Sequence, residues 1–379
     1  TPTVVPAVPT ANPATSKDVQ GATQTGTPTF AGTTVQVNGE DKAITIKDSS
    51  YTLLDKEGNE VSSTPAYAAD GTTEIGTYSI DSATGQVTFT PTDKSYTGVV
   101  TPAKVQAESS NGIKVDTTYT PEIVPVTPTA TPAETEDIQG ATQTGKPEFK
   151  GGTVTVDGVE KTVAINEAVP ATFDDGSTTK TVDGVGTYTV AADGTVTFVP
   201  EKSFVGTAPA VTVVREDMNG TKASATYTPT VTPVTPTATP AESTGPQGLV
   251  QTGTVTFTEG DEVAPIDKDT ITLLDENGQP AASVEAKSPA GDVIGTYTVD
   301  KDTGVVTFTP TDKSYSGDVV PVKVQGKDTN GTVAETTYTP KITPVVPTAE
   351  PATSTDIQGK TQTGTPSFTP GNPAIPMDD

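Results

Sequence analysis

The stretch IGTYSIDSATGQVTFTPTDKSYTG at residues 75–98 contains two short runs in which apolar and polar side chains alternate. Val87 and Phe89 alternate with threonines in the second run, and Tyr78 and Ile80 share one face in the first. Alternation with a period of two is typical of a β-strand that has one buried face. The residues between the runs end in glycine, which supplies the positive φ that tight hairpin turns need. The stretch therefore predicts a β-hairpin.

The same stretch occurs three times in the chain. Its counterparts are VGTYTVAADGTVTFVPEKSFVG at 185–206 and IGTYTVDKDTGVVTFTPTDKSYSG at 294–317. Each copy is preceded by a phrase such as DVQGATQTGTPTF, which ends at Phe30 and recurs with its last Phe at 149, 257 and 368. A spacing of about 110 residues is the size of an ordinary domain and exceeds that of a solenoid repeat. The sequence therefore predicts three modules and the start of a fourth.

Each copy is followed by an Asn-Gly pair and a last alternating run, which reads NGIKVDTTYTP at 111–121 in the first module. Asn-Gly is a strong hairpin signal. We find no convincing amphipathic helix, and the abundant Thr and Val suit half-buried strands. Short strands separated by frequent turn signals favour a sandwich. We predict an all-β chain of tandem antiparallel β-sandwich modules, Ig-like or cadherin-like, joined by Pro/Thr-rich linkers.

Composition sets the predicted boundaries, because Pro and Thr are concentrated between the modules, as in IVPVTPTATPAE at 123–134. Such runs favour extended polyproline II backbone and act as semi-rigid spacers. The predicted modules are 16–124, 135–232 and 243–344, and the truncated start of a fourth module is 354–379. The predicted linkers are 1–15 (from a preceding repeat), 125–134, 233–242 and 345–353.

Composition also limits the chemistry that the chain can perform. Its 379 residues include no Cys, His or Trp, and the formal net charge is −26. The missing Cys and His exclude thiolate and imidazole catalysis, zinc sites and Ser-His-Asp triads. The acidic charge disfavours nucleic acid and anionic lipid surfaces, and no apolar run is long enough to insert into a membrane. We therefore expect that the chain is not an enzyme and binds no cofactor, and we assign no catalytic, cofactor-binding or metal residue. Because the sequence does not open with a signal peptide, we expect it to be a fragment of a longer polypeptide.

Two carboxylate patterns superficially resemble calcium sites. DKDTG at 300–304 has the alternating Asp residues of a calcium loop, but the matching DSATG at 81–85 lacks the second Asp. A hairpin turn is the preferred interpretation. The carboxylates of ETED at 134–137 cluster at one linker, whereas Glu242 at the next is followed by Ser-Thr-Gly. Calcium shared between modules is therefore not the preferred interpretation either.

A recurring Lys and a recurring Asn are the residue types that form intramolecular isopeptide bonds in surface stalks. That bond requires the pair to be buried together near a carboxylate. Each Lys lies in a polar segment and each Asn precedes a Gly, so exposed lysines and turn asparagines are the preferred interpretation. These residues are Lys94, Lys202 and Lys313, and Asn111, Asn219 and Asn330.

Recurring aromatic residues lie within or beside the alternating runs, and core packing is preferred over a sugar-stacking platform. The set is Tyr78, Tyr96, Tyr119, Tyr188, Phe204, Tyr227, Tyr297, Tyr315 and Tyr338. Gly98, two residues after Tyr96, is expected to permit a tight corner under that ring, as are Gly206 and Gly317 in the other modules. The phrase QGATQTG is expected to form the first turn and edge strand of a module, with Gly21 and Gly26 setting backbone angles rather than binding anything.

The phrase QGATQTG, the core G-T-Y-x-[VI] to G-x-V-T-F-x-P, the following K-S-[YF]-x-G and the Pro/Thr junction together resemble the CshA-type fibril repeat. That repeat occurs in cell-wall-anchored surface adhesins of streptococci and related Gram-positive bacteria. The resemblance implies an extracellular stalk on the bacterial surface that projects a distal adhesive region. It also implies that wall anchoring and any host or bacterial ligand involve regions outside this chain, whose own partners are neighbouring modules.

Two features qualify that interpretation. The second module departs from the pattern, since ATFDDGSTTKTVDG at 171–184 replaces the YTLLDKEGNE found at 51–60. The alternative function that stays open is that the modules themselves bind a host glycoprotein or a bacterial surface ligand through weak multivalent contacts.

Overall fold

The computed structural model describes residues 1–378, and all regular elements in that range are β-strands. We call the units formed by β1–β13, β14–β26 and β27–β38 repeats 1, 2 and 3. The strands of repeat 1 are β1 (Thr10–Asn12), β2 (Ala14–Val19), β3 (Gln24–Gly26), β4 (Thr29–Ala31), β5 (Thr33–Val37), β6 (Glu40–Ile44), β7 (Thr52–Leu54), β8 (Glu60–Val61), β9 (Ser63–Tyr67), β10 (Glu74–Ile80), β11 (Val87–Pro91), β12 (Ala103–Glu108) and β13 (Lys114–Val124).

The other two repeats contain most of the same strands in the same order along the chain. The strands of repeat 2 are β14 (Thr129–Thr131), β15 (Ala133–Ile138), β16 (Gln143–Gly145), β17 (Glu148–Lys150), β18 (Gly152–Val156), β19 (Val159–Val163), β20 (Thr172–Phe173), β21 (Thr179–Val182), β22 (Gly186–Val190), β23 (Val196–Pro200), β24 (Gly206–Thr207), β25 (Val211–Glu216) and β26 (Lys222–Thr232). The strands of repeat 3 are β27 (Thr237–Thr239), β28 (Ala241–Pro246), β29 (Gln251–Thr254), β30 (Thr256–Thr258), β31 (Ile266–Leu274), β32 (Pro280–Ala281), β33 (Ser283–Lys287), β34 (Val293–Val299), β35 (Val305–Pro310), β36 (Gly317–Asp318), β37 (Val322–Asp328) and β38 (Val333–Thr343). The last strands are β39 (Thr348–Glu350) and β40 (Ser367–Thr369).

Each repeat contains two large sheets that enclose one apolar core. In repeat 1 the sheets have the strand orders β3-β11-β10-β9 and β2-β13-β12-β7-β8. Tyr78 and Phe89 enter the core from the first sheet, and Val105 and Tyr119 enter it from the second. The corresponding sheets are β16-β23-β22-β21 and β15-β26-β25-β20 in repeat 2, and β29-β35-β34-β33 and β28-β38-β37-β31-β32 in repeat 3. The prediction of tandem β-sandwich modules is confirmed.

The predicted hairpin at 75–98 is present as β10 and β11. Tyr78 pairs with Phe89 across the two strands, and Gly85 in the turn has a φ of 74°. The Asp81 carboxylate accepts the backbone N–H of Ala83 and so closes the turn.

No helix in the described part of the chain is long and apolar enough to cross a membrane.

One strand pair in each sandwich is parallel, which the sequence did not indicate. β2 runs beside the second half of β13 from Ala14↔Tyr119 to Val19↔Val124, and β15·β26 and β28·β38 repeat this pairing. After β2 the chain crosses the sandwich, because β3 belongs to the other sheet. The turn at Gln20 and Gly21 makes this crossing, with Gly21 at a φ of 82°. The repeated glutamine phrase therefore marks the point where the chain changes sheets.

The Pro/Thr segments are extended, but they are hydrogen-bonded to the repeat that follows them. β14, within the predicted linker 125–134, pairs with β17, and β1, β27 and β39 pair with β4, β30 and β40 in the same way. The prolines in these segments are separated by threonine and other residues, whose backbone N–H groups remain available for pairing. The exact division into modules and linkers stays a prediction.

Repeat 3 differs from the other two in one local element. Repeats 1 and 2 contain a small separate hairpin, β5–β6 in the first and β18–β19 in the second. In repeat 3 the corresponding residues 259–265 form a loop, and the chain goes directly into β31. The repeats therefore share a sandwich but not every attached element.

Candidate functional site: the junction between repeats

The second glutamine of the repeated phrase closes the sandwich from within. Gln24 is 3% exposed; its Oε1 accepts a hydrogen bond from Ser16 Oγ at 2.7 Å, and its Nε2 donates to the Glu122 carbonyl at 3.0 Å. Since the Ser16 proton goes to Gln24, the Tyr119 hydroxyl must donate to Ser16 Oγ, 2.7 Å away. Gln143 and Gln251 make the same contacts in repeats 2 and 3. This network connects β2, β3 and β13, and so joins the two sheets of the sandwich.

The glycine that ends the phrase has a different role from the one expected. Gly26 does not adopt positive φ, and a Cβ there would overlap the ring of Tyr119. Gly145 faces Tyr227 and Gly253 faces Tyr338 in the same manner. The expectation that Gly26 sets a backbone angle is therefore wrong, because the missing side chain makes room for a buried tyrosine. The expectation for an edge strand is confirmed, since β3 lies at the edge of its sheet.

The first glutamine, Gln20, lies at the end of the repeat that faces the next one. It is 1% exposed, and its Nε2 donates to the carbonyls of Lys94 and Ser95 at 3.2 and 3.0 Å. Its Oε1 accepts the N–H of Val126 at 3.2 Å. Val126 lies in the Pro/Thr stretch that joins one repeat to the next, which we call the connecting segment. The backbone N–H of Gln20 donates to the Val124 carbonyl at the end of β13. One buried side chain thus fixes the exit path of the chain relative to the sandwich.

The backbone carbonyl of Gln20 is bound by the next repeat. Asn219 Nδ2, in the Asn-Gly turn of repeat 2, donates to this oxygen at 2.8 Å, although 199 positions separate the two residues. Gly21 lies directly against the Asn219 amide, and a Cβ at Gly21 would overlap it. The expectation that Gly21 sets a backbone angle is confirmed, and its missing side chain also makes room for the Asn219 amide.

The second junction repeats this geometry. Gln139, 4% exposed, donates to the Lys202 carbonyl at 2.8 Å and accepts the Val234 N–H at 3.3 Å. Asn330 Nδ2 of repeat 3 donates to the Gln139 carbonyl at 3.0 Å, and Gly140 lies against the Asn330 amide. We call this arrangement of a Gln-Gly turn with the following Asn-Gly turn the junction node.

The turns that present Asn219 and Asn330 are held by buried carboxylates. Asp217, 0% exposed, accepts the backbone N–H groups of Asn219 and Thr221, each at 2.9 Å. Asp328 holds Asn330 and Thr332 in the same way. The donating amide is therefore oriented before the neighbouring repeat reaches it, which lowers the entropy lost on contact.

The first and last nodes have no complete neighbour among the described residues. Asn111 Nδ2 donates to the Ala7 carbonyl at 3.0 Å instead of to a Gln-Gly turn. Gln247 already donates to the Ser314 carbonyl and accepts the Val345 N–H at 3.0 Å, as Gln20 and Gln139 do. The hydrogen bonds of the glutamine side chain therefore form without the next repeat, whereas the bond from the asparagine requires it.

The candidate calcium loops are hairpin turns. Asp300 Oδ1 accepts the backbone N–H groups of Asp302 and Thr303, and the turn joins β34 to β35. These hydrogen bonds lower the pKa of Asp300 below its ordinary value. The acidic residues at 134–137 are spread along β15, where Asp137 accepts the N–H of Ile138. Within residues 1–378 no three acidic side chains converge as a metal site would require.

The Lys and Asn candidates are not brought together as an isopeptide bond would require. Lys94, Lys202 and Lys313 are exposed, as expected. The asparagine turns are confirmed, with φ of 80° at Gly220 and 86° at Gly331, but the asparagine side chains also bond across the junctions. That second role was missed, although the recurrence of Gln-Gly in all four copies and of Asn in all three was a usable signal.

The aromatic residues are core residues. Tyr78, Tyr119, Tyr188, Tyr227, Tyr297 and Tyr338 are at most 2% exposed. Tyr96, Phe204 and Tyr315 are half-buried. The Tyr96 hydroxyl donates to the Val99 carbonyl at 2.8 Å and passes over Gly98, which confirms the expected corner. Tyr315 and Gly317 reproduce it, but a Cβ at Gly206 would meet no atom.

Comparison with known protein families gives a match along nearly the whole chain. The family model for the surface adhesin CshA repetitive domain matches residues 6–123, 125–231, 233–342 and 344–379. No curated protein has a matching sequence.

Several solved structures resemble the chain. Mouse cadherin-23 EC22-24 shares 13% identity over 90% of this chain and 100% of that one, with a TM-score of 0.33. The protocadherin gammaB7 EC3-6 cis-dimer structure shares 10% identity over 94% and 77%, with a TM-score of 0.36. The N-terminal four Ig domains of Dscam1 share 11% identity over 89% and 73%, with a TM-score of 0.20.

Proposed function

Because the chain belongs to the repetitive-domain family of the surface adhesin CshA, we propose that it is a load-bearing segment of a cell-surface stalk. Its repeats extend the stalk and project a distal adhesive region away from the cell wall. Anchoring to the wall and recognition of a host or bacterial ligand are carried out by regions outside residues 1–379. The repeats themselves have a structural and not a catalytic role.

The junction node is the observation that supports this proposal. Asn219 binds the Gln20 carbonyl and Asn330 binds the Gln139 carbonyl with nearly the same geometry. A stalk needs successive domains held in a defined direction, whereas a flexible tether does not. A buried glutamine that is bonded to both the sandwich and the connecting segment supplies that definition, because leaving its polar atoms unpaired is costly.

Small-angle X-ray scattering of the intact chain tests the proposal. Three repeats held in line should have a longest dimension on the order of 100 Å or more. The double variant Asn219→Ala/Asn330→Ala removes the hydrogen bonds that repeats 2 and 3 donate to the Gln20 and Gln139 carbonyls, and we expect it to bend more and to have a smaller mean dimension.

Asn111→Ala is the matched control for that double variant, because Asn111 occupies the same turn but its Nδ2 donates to the Ala7 carbonyl and not to a Gln-Gly turn of another repeat. Its dimension should equal that of the unaltered chain. Circular dichroism verifies that the variants keep their strands. A compact cluster in the unaltered chain would exclude the stalk.

A further inference from the structure

The small hairpin β18–β19 of repeat 2 lies against the end of repeat 1. Val156 and Val163 of the hairpin are 4% and 8% exposed. They form one buried cluster with Val19 at the end of β2 and Val126 of the connecting segment. Ala22 and Val124 of repeat 1 and Val154 of the hairpin pack against that cluster. This small core belongs to neither sandwich and exists only because the two repeats meet.

Two further features fit the hairpin to its neighbour. Lys161 Nζ on β19 lies 3.5 Å from Asp18 Oδ1 on β2 of repeat 1. Gly152 at the start of β18 lies so close to the connecting segment that a Cβ would approach the Thr127 carbonyl at 2.5 Å. The hairpin is therefore joined to repeat 1 by apolar packing, by opposite charges and by a close backbone approach.

Hairpin β5–β6 of repeat 1 has similar apolar and basic contact residues, although Thr33 stands at the position of Gly152, and the described residues include no complete repeat before it. Val35, Val37, Ile44 and Lys42 occupy the positions of Val154, Val156, Val163 and Lys161. Val37 and Ile44 are half-buried, whereas their counterparts in repeat 2 are buried. Among the described residues, Lys42 forms an ion pair with Glu40 of its own hairpin and with no other carboxylate. The apolar surface of the hairpin is thus covered by the preceding repeat in β18–β19 and is more exposed in β5–β6.

Repeat 3 does not have this surface. Its residues 259–265, EGDEVAP, replace the hairpin with a loop that carries three carboxylates and no lysine. Repeat 2 presents Asp137, Ile138 and Gln139 where repeat 1 presents Asp18, Val19 and Gln20. The junction node forms here, but no hairpin packs beside it.

We propose that this hairpin is a docking arm for the C-terminal end of another repeat that presents the Asp-[Val/Ile]-Gln-Gly turn. β18–β19 is the occupied example, and β5–β6 is an interaction surface for a further repeat before it. A repeat without the arm, such as repeat 3, forms a junction held only by the node and by the short loop 259–265, whose Gly260 lies against Val234 and the Thr235 carbonyl, and this junction bends more. The biological role of the docking arm rests on the proposed stalk function. The contact between the hairpin and the preceding repeat does not depend on that function.

Spin labels measure the bending of each junction in the intact chain. The chain has no cysteine, so Ser79→Cys with Thr189→Cys labels junction 1–2 specifically, and Thr189→Cys with Thr298→Cys labels junction 2–3. These three residues are exposed and each follows the equivalent buried tyrosine of β10, β22 or β34. We expect a distance distribution that is at least twofold narrower across junction 1–2 than across junction 2–3.

A matched pair of variants assigns the difference to the hairpin. Val156→Asp/Val163→Asp should broaden the distribution at junction 1–2 to the width found at junction 2–3. Val37→Asp/Ile44→Asp places the same change in the uncovered hairpin of repeat 1 and should leave both distributions unaltered. If the first variant does not fold, Val156→Ala/Val163→Ala should give an intermediate width.

A chain with one more repeat tests the uncovered arm directly. TPTVV at 1–5 corresponds to TPEIV at 120–124, so duplication of residues 1–119 at the N-terminus adds a complete repeat before repeat 1. Val37→Asp/Ile44→Asp of the original repeat 1 should then broaden the new junction. Distance distributions of equal width at junctions 1–2 and 2–3, or widths that these substitutions do not change, would contradict the proposal of a docking arm. An extended chain in scattering would still support the stalk in that case.

Discussion

At the residue scale, the repeated phrase works through groups that carry no charge. Gln24 binds Ser16 and the Glu122 carbonyl, whereas Gln20, four positions earlier, binds the connecting segment and the next repeat. An amide both donates and accepts, so one side chain can satisfy several buried backbone groups at once. A glutamine side chain can also form these hydrogen bonds with water at the surface, and the sequence alone therefore does not reveal that it is buried.

Gly145 provides the first prediction at this scale. In Gly145→Ala the new methyl group would overlap the ring of Tyr227, which is 0% exposed. We expect a loss of about 1–3 kcal/mol in the unfolding free energy of repeat 2, as overpacked cores show. Denaturant titration followed by circular dichroism measures it.

Thr144→Ala is the control for that substitution, because Thr144 is the exposed neighbour on the same strand. Its effect should stay within about 0.5 kcal/mol. Equal stabilities for the two variants would show that Gly145 is not required for close packing against Tyr227.

At the element scale, the Pro/Thr segments are the main difference between expectation and structure. Their composition indicated free polyproline spacers, yet β14 pairs with β17 and the following β15 pairs with β26. Isolated prolines remove single N–H groups and leave the alternate ones able to bond. The junction is consequently short, because most of the apparent linker belongs to the next sandwich.

Hydrogen exchange tests this pairing. The amides within residues 129–138 that bond to β17 and β26 should be protected, whereas the amides of a free spacer exchange at once. Residues 351–366 have a similar sequence but contain no strand, and they serve as the internal control that should exchange fast. Equal rates for the two segments would contradict the pairing.

At the scale of the whole molecule, each sandwich depends on buried tyrosines in their neutral form. Burial raises the pKa of Tyr188 to about 12 from its ordinary 10.0, and it also raises the pKa values of Tyr78 and Tyr297. Their hydroxyls donate to the carbonyls of Pro209, Thr101 and Val320 at 2.7 to 2.8 Å. All three repeats therefore share one alkaline weakness.

The sign of the pH effect follows from linkage. Between pH 10.0 and about 12 the unfolded chain loses the Tyr188 proton while the folded chain retains it, so deprotonation favours unfolding. We expect the denaturation midpoint to be independent of this group below pH 10.0 and to fall above it. Tyr188→Phe should reduce the fall for repeat 2. A midpoint that the substitution leaves equally sensitive to alkali would show that Tyr188 does not cause the loss.

The sequence by itself determined the number of repeats, their β class, the hairpins and the tyrosine core. Those features depend on local periodicity and on turn glycines, which are readable in any short window. The tertiary structure alone decided the parallel pair β2·β13, the pairing of the connecting segments and the junction node. Asn219 and Gln20 are 199 positions apart, and each is an ordinary polar residue until folding removes water from between them. Contacts of this kind follow from the meeting of distant surfaces, which local sequence patterns do not encode.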